Sequence, residues 1–135
     1  MSKMNPRIKA KWLAALRSGE YKQGQEQLRD DQNNFCCLGV LCNIHAQENP
    51  DFAARQKKTT AYDGEQGLLP KVVSKWAKLD DDNPGFNMPF SVRGTRNASY
   101  GDRLTFKKGE SVDIAYLNDG GLNFRQIADV IEAVL

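Results

Sequence analysis

The sequence predicts an α+β fold, a compact helix-rich single domain spanning residues 1–135, with a small two- or three-stranded sheet. Three observations carry this. Ile8, Trp12 and Leu16 repeat every four residues, and Phe124, Ile127, Ile131 and Val134 form a second helical stripe. Residues 35–46 are the most apolar stretch and belong at the centre. Leu104 and Phe106 alternate with Arg103, Thr105 and Lys107, the period of a strand.

In chain order, residues 1–5 are expected to fray. Pro6 opens a first helix, because its missing N–H is no loss in the first turn. That helix ends near Ser18-Gly19. Residues 21–34 are polar and Gln-rich, with Leu28 as their only aliphatic anchor, and read as a structured loop that includes a hairpin. Residues 35–46 read as the central helix, capped by Asn33 or Asn34. Gly39 lowers its helicity by about 1 kcal/mol relative to Ala, which suits a place where another element crosses closely. A strand over 35–41 is the competing reading.

Asn49-Pro50 marks a break, and Tyr62-Asp63-Gly64 a turn. Pro70 opens the next helix, with Leu69, Val72, Val73, Trp76 and Leu79 as its stripe. The acids Asp80, Asp81 and Asp82 oppose a helix dipole and belong just outside its end. Residues 83–101 read as a long loop, a length that is uncommon unless the loop binds something. Residues 59–62 or part of 86–92 are candidates to pair with the 103–107 strand. Ser111 is the expected cap of a short helix through Leu117, closed by Asn118-Asp119-Gly120-Gly121. Asn123 and Gln126 have capping-box spacing for the last helix. The core joins Trp12, Leu16, Leu38, Leu41, Trp76, Ile127 and Ile131.

The net charge of +2 is too small to imply nucleic acid or an anionic membrane by itself. The charge comes in blocks, +5 over residues 1–22, –4 over 23–54, +4 over 55–79, –3 over 80–90, +3 over 91–110 and –3 over 111–135. Blocks of this size match neighbouring elements of one fold more readily than they build one field. No secretory signal or membrane span is read, and three cysteines cannot all pair, which suits free thiols in a reducing cytoplasm.

Cys36, Cys37, Cys42 and His45 have the donor types of a zinc site, but adjacent Cys36 and Cys37 diverge on a helix, and packing as small hydrophobes explains them better. A Cys37–His45 catalytic pair would be roughly 12 Å apart along one helix, too far for proton transfer. Asp63, Glu65, Asp102 and Asp119 sit by glycines in turns, where acid–base work is conceivable but Asp-Gly is also a favoured turn pair. No metal, cofactor or catalytic residue is assigned. The candidate binding residues are Arg93, Arg96, Tyr100 and Arg103, which together grip a phosphate or a protein surface, with Phe86 and Met88 either tucked into the core or exposed as apolar anchors. Tyr21, Lys22, Lys57 and Lys58 extend the basic patch in this reading.

Three stretches carry a resemblance. Residues 12–23, WLAALRSGEYKQ, followed by residues 35–42, FCCLGVLC, and the closing LNDG of 117–120 with Phe124, Ile127-Ala128-Asp129 and Ile131-Glu132, resemble a largely uncharacterised group of small proteins encoded by tailed phages and prophages. The likeness touches both ends and about a third of the chain. It implies a viral origin and transfers no catalytic residue. The expectation is a noncatalytic accessory protein in the host cytoplasm that binds and modulates a host or viral protein. The alternatives are a nucleic-acid or nucleotide-phosphate binder, and a small hydrolase.

Overall fold

The computed structural model describes residues 3–54 and 61–135. Helix α1 (Pro6–Ser18) begins where expected, with the Asn5 side chain accepting from the Arg7 and Ile8 N–H groups at 3.0 and 3.2 Å. Fraying does not extend to Met4 and Asn5. Met4 is buried, and the Asn5 N–H donates to the Ala77 carbonyl. Ile8, Trp12, Leu13 and Leu16 face inward, and the Trp12 indole donates to the Cys37 carbonyl at 2.9 Å.

The stretch 21–34 is a structured loop, and its hairpin-like part is the antiparallel bridge of Arg29 with Phe35, which closes a tight turn over residues 30–34. Its ends are two short strands, β1 (Lys22–Gln23) and β2 (Asn34–Phe35), and they pair in parallel. Leu28 at its middle is fully buried. The central helix α2 (Cys37–Glu48) starts two residues later than expected and is capped by Cys36, whose Sγ accepts from Gly39 N. Asn33 and Asn34 do not cap it, because the backbone at Asn34–Phe35 is extended and paired with β1. A Cβ on Gly39 would lie 1.7 Å from the Leu28 carbonyl oxygen. The close crossing expected there is therefore the 21–34 loop, whose Leu28 carbonyl also accepts the Cys36 N–H.

Helix α3 (Pro50–Ala54) follows Asn49 directly, and α4 (Lys71–Ala77) starts after Pro70. The α4 stripe is narrower than its periodicity suggests. Val73, Ser74 and Ala77 are buried, Trp76 is half-buried and Val72 is exposed. This helix has only two turns and meets the core along a single line.

The α+β class holds, with the strands of the described residues divided among three two-stranded sheets where one small sheet was expected. The span 83–101 is not one loop. It contains β3 (Gly85–Asn87) and β4 (Val92–Arg93). β3 pairs antiparallel with β6 (Ser111–Asp113), and β4 pairs antiparallel with β5 (Thr105–Phe106). Residues 59 and 60, the other candidate partners for the 103–107 strand, lie outside the described residues. Tyr62 forms its bridge with Glu65. Because Ser111 is in β6, the cap of α5 (Ile114–Asp119) moves to Asp113, which accepts from Tyr116 N at 2.8 Å. Helix α6 (Phe124–Val134) has the expected capping box, with Asn123 and Gln126 each bonding the other's backbone.

Helix α2 lies inside the fold, in contact with α1, α3, α4 and α5, while α6 packs on α1 and α5. Trp12, Leu16, Leu38, Leu41, Ile127 and Ile131 are buried as expected. Among the described residues no helix is long and apolar enough to cross a membrane.

Candidate binding surface

The β4–β5 ribbon carries the basic residues singled out from the sequence. Arg93 is paired with Thr105 and Val92 with Phe106, and the ladder runs one step further, from Gly94 N to Leu104 O at 2.8 Å. Side chains alternate across a ribbon. Val92, Gly94, Leu104 and Phe106 are half-buried or buried, while Arg93, Arg103 and Thr105 are exposed. Arg93 and Arg103 therefore share the outer face, with Cβ atoms about 7 Å apart as diagonal neighbours.

This ribbon is fastened to the core by its backbone. Thr95 N and Arg96 N both donate to Gly121 O at 2.9 Å, Ser99 N to Asp119 O at 2.8 Å, and Leu104 N to Gly120 O at 3.1 Å. Gln126 of α6 donates to the Arg93 carbonyl at 2.8 Å. Gly121 has φ +104°, and a Cβ there would lie 2.1 Å from Arg96 O. The turn after α5 thus lets two backbones touch.

The same turn, which its sequence marks as a helix terminator, holds a polar hub. Asn118 is fully buried. Its Oδ1 accepts from Gln23 Nε2 at 2.9 Å and from Cys37 N at 3.2 Å, while its Nδ2 donates to Gly24 O at 2.8 Å. Asp119 accepts from Glu26 N at 3.0 Å. One asparagine thus links the 21–34 loop, the start of α2 and the ribbon's anchor. The only signal in the sequence is an Asn in an otherwise apolar helix end, which is hard to tell from a cap.

The six candidate residues do not form one cluster. Arg93 and Arg103 lie together on the ribbon. Arg96 is half-buried and turns inward, donating to Gln23 O at 3.0 Å, and its Nη1 is buried with no partner among the described residues. Burial lowers its pKa from the ordinary arginine value. Tyr100 is 63% exposed. Its pKa is raised, first by partial burial and then by the Tyr116 hydroxyl and the Asp119 carboxylate nearby. Phe86 is half-buried on β3 and packs against the core. Met88 is 2% exposed and belongs to the core, so it is no anchor for a partner. It is held inside because Met88 N bonds Glu110 O and Met88 O accepts from Gly109 N. Lys57 and Lys58 lie outside the described residues.

None of Arg93, Arg96, Arg103, Lys107 or Lys108 makes an ion pair among the described residues. The helical side of the molecule differs. There Arg7 and Lys11 pair with Glu48, and Arg17 pairs with Asp129 and Glu132. Glu48 is held down at about 2 by its hydrogen bonds with Arg7 and Lys11.

The thiols are packing atoms. Cys36, Cys37 and Cys42 are buried and free. Burial pushes Cys36 up to about 11 and moves Cys37 and Cys42 well above the ordinary thiol value. A protonated, enclosed thiol is a poor nucleophile. His45 lies near the other end of α2, wedged edge-on between Phe52 and Trp76 at 4.8 and 4.9 Å. The turn carboxylates are also dispersed. Asp63 and Glu65 are exposed in the 62–65 turn, Asp102 is exposed on the ribbon connection, and Asp119 is engaged as a backbone acceptor. Hollows of about 470, 420 and 410 Å³ lie at the α1–α6 ends, beside Tyr21 and beside His45, and none of these three is lined by the ribbon arginines.

A family model matches residues 4–135, from the first buried side chain to the end of α6. The chain belongs to DUF8296, a domain family of unknown function. No curated protein and no solved structure matches it. For this DUF8296 chain, any functional reading therefore rests on its own surface.

Proposed function

We propose that this DUF8296 protein is a noncatalytic accessory protein of a phage, acting in the host cytoplasm by binding and modulating a host or viral protein through the β4–β5 ribbon. The observation that carries the reading is the contrast in charge pairing. Among the described residues, the five cations over residues 93–108 lack a carboxylate partner, on a segment whose backbone is fixed to the core at 119–121. A fixed backbone reduces the ordering cost of binding, and unpaired arginines are common anchors at protein interfaces. The enclosed thiols and dispersed carboxylates fit a protein that works by occupancy.

The experiment is a photo-crosslink in host cells. A photoreactive residue replaces Thr105, with exposed Gln47 near the C-terminal end of α2 as the control position. The reading expects a discrete protein adduct from position 105 that disappears with Arg103→Glu and is absent from position 47. Adducts of equal yield from both positions, or none from 105, would count against it. A second reading is nucleic-acid binding, favoured by exposed Tyr100 and Tyr116 on the neighbouring surface, since aromatic faces stack on bases. Nucleic acid in the position-105 adduct would support that reading instead.

A further inference from the structure

We infer that the ribbon recognises an extended acidic segment of its protein partner, with Asp or Glu at alternate residues, the two guanidiniums of Arg93 and Arg103 each taking one carboxylate. This rests on the reading of the ribbon as the binding surface. Arg93 and Arg103 are diagonal neighbours on the outer face, at about 7 Å. In an extended chain, side chains two residues apart lie on one face about 6.6–6.8 Å apart, so the two spacings agree. Adjacent carboxylates would point to opposite faces and present one acid at a time. Arginine forms paired hydrogen bonds with a carboxylate, which gives the contact geometry as well as charge.

Charge complementarity selects the partner class. The outer face supplies two arginines, with Asp102 next to Arg103, and the whole chain carries only +2. Strong nucleic-acid binders neutralise about 6–10 phosphates. Two guanidiniums match two carboxylates better than they match a phosphate track.

The test uses two fluorescein-labelled peptides of identical composition, one alternating Glu and Ser, the other in Glu-Glu-Ser-Ser repeats, which place no two acids two residues apart, and a labelled single-stranded DNA. Binding to the full chain is read by fluorescence anisotropy at about 50 mM and about 200 mM salt. The alternating peptide is expected to bind at least about fivefold tighter than the Glu-Glu-Ser-Ser peptide. Arg93→Glu with Arg103→Glu should weaken it by about tenfold or more, and Arg93→Gln with Arg103→Gln by less. Lys107→Glu with Lys108→Glu should change it by under about threefold. Circular dichroism confirms that each variant is folded. Equal affinity for both peptides, tighter binding of the DNA, or an unchanged affinity in the double-arginine variant would overturn the inference. If the peptides fail while the Thr105 adduct still depends on Arg103, the ribbon remains the binding surface and only the acidic-segment assignment falls. If the adduct is lost as well, both fall.

Discussion

The α1 face and the β4–β5 ribbon begin from similar sequence and end differently. Residues 1–22 carry a net +5 and residues 91–110 a net +3. On α1 the charge is met within the fold. Arg17 reaches Asp129 at 2.8 Å and Glu132 at 3.2 Å, Arg7 reaches Glu48 at 3.0 Å, and Lys9 donates to the Glu132 carbonyl. On the ribbon no such partner exists among the described residues. A charge block in a sequence is therefore not a charge patch on a surface. What decides is whether the neighbouring element carries the opposite sign at the right height. Helices α2 and α6 do so for α1, through Glu48 and through Asp129 and Glu132. For the ribbon, α6 presents the Asn123–Gln126 capping box, whose polar groups bond Thr95 and the Arg93 carbonyl and leave the guanidiniums of Arg93 and Arg103 without a carboxylate among the described residues.

The comparison breaks most completely if the shared support is removed. Gly39→Ala forces a Cβ into the Leu28 carbonyl and should destabilise the protein by about 3 kcal/mol or more, measured by urea unfolding. Gly121→Ala should cost about 2–4 kcal/mol, from a left-handed backbone and from contact with Arg96 O. It should also raise amide exchange at Thr95, Arg96 and Ser99 while α1 stays protected, because the ribbon's anchor lies at 119–121.

A smaller effect separates the two ends of α2 by pH. Burial lowers the His45 pKa, so the unfolded chain takes up that proton first. Stability from His45 is complete above its unfolded value of about 6.5 and declines as pH falls below it. Glu48 is held at about 2, so its contribution is complete above its unfolded value of about 4.5 and is lost as pH falls towards about 2. Unfolding curves against pH should lose the upper component in His45→Gln and the lower one in Glu48→Gln. Each component should be about 1 kcal/mol or less. A single merged acid transition in both variants would contradict the assignment.

Much of the fold was legible where one physical term dominated. The stripes of α1 and α6 and the capping box of α6 follow from spacing alone. The glycine at 39 marked a close crossing without naming Leu28 as what crosses. What was not legible depended on partners distant in sequence. The pairing of β3 with β6 moved the α5 cap from Ser111 to Asp113, and the pairing of β1 with β2 moved the α2 cap to Cys36. The candidate site was legible in part. Alternation at 103–107 placed Arg103 on an outer face, but nothing local distinguishes Met88, which turns inward, from Tyr100, which does not. Asn118 was missed because a buried amide joining three segments looks like an ordinary helix end.

The most direct measurement is the melting temperature of two single charge reversals, Arg17→Glu on the paired face and Arg103→Glu on the ribbon. Arg17→Glu sets three carboxylates together and should lower it by about 3–6 °C, whereas Arg103→Glu should shift it by under about 2 °C in either direction. Equal losses, or a larger loss from Arg103→Glu, would mean that the ribbon's charge is compensated within the fold and is not kept free for a partner.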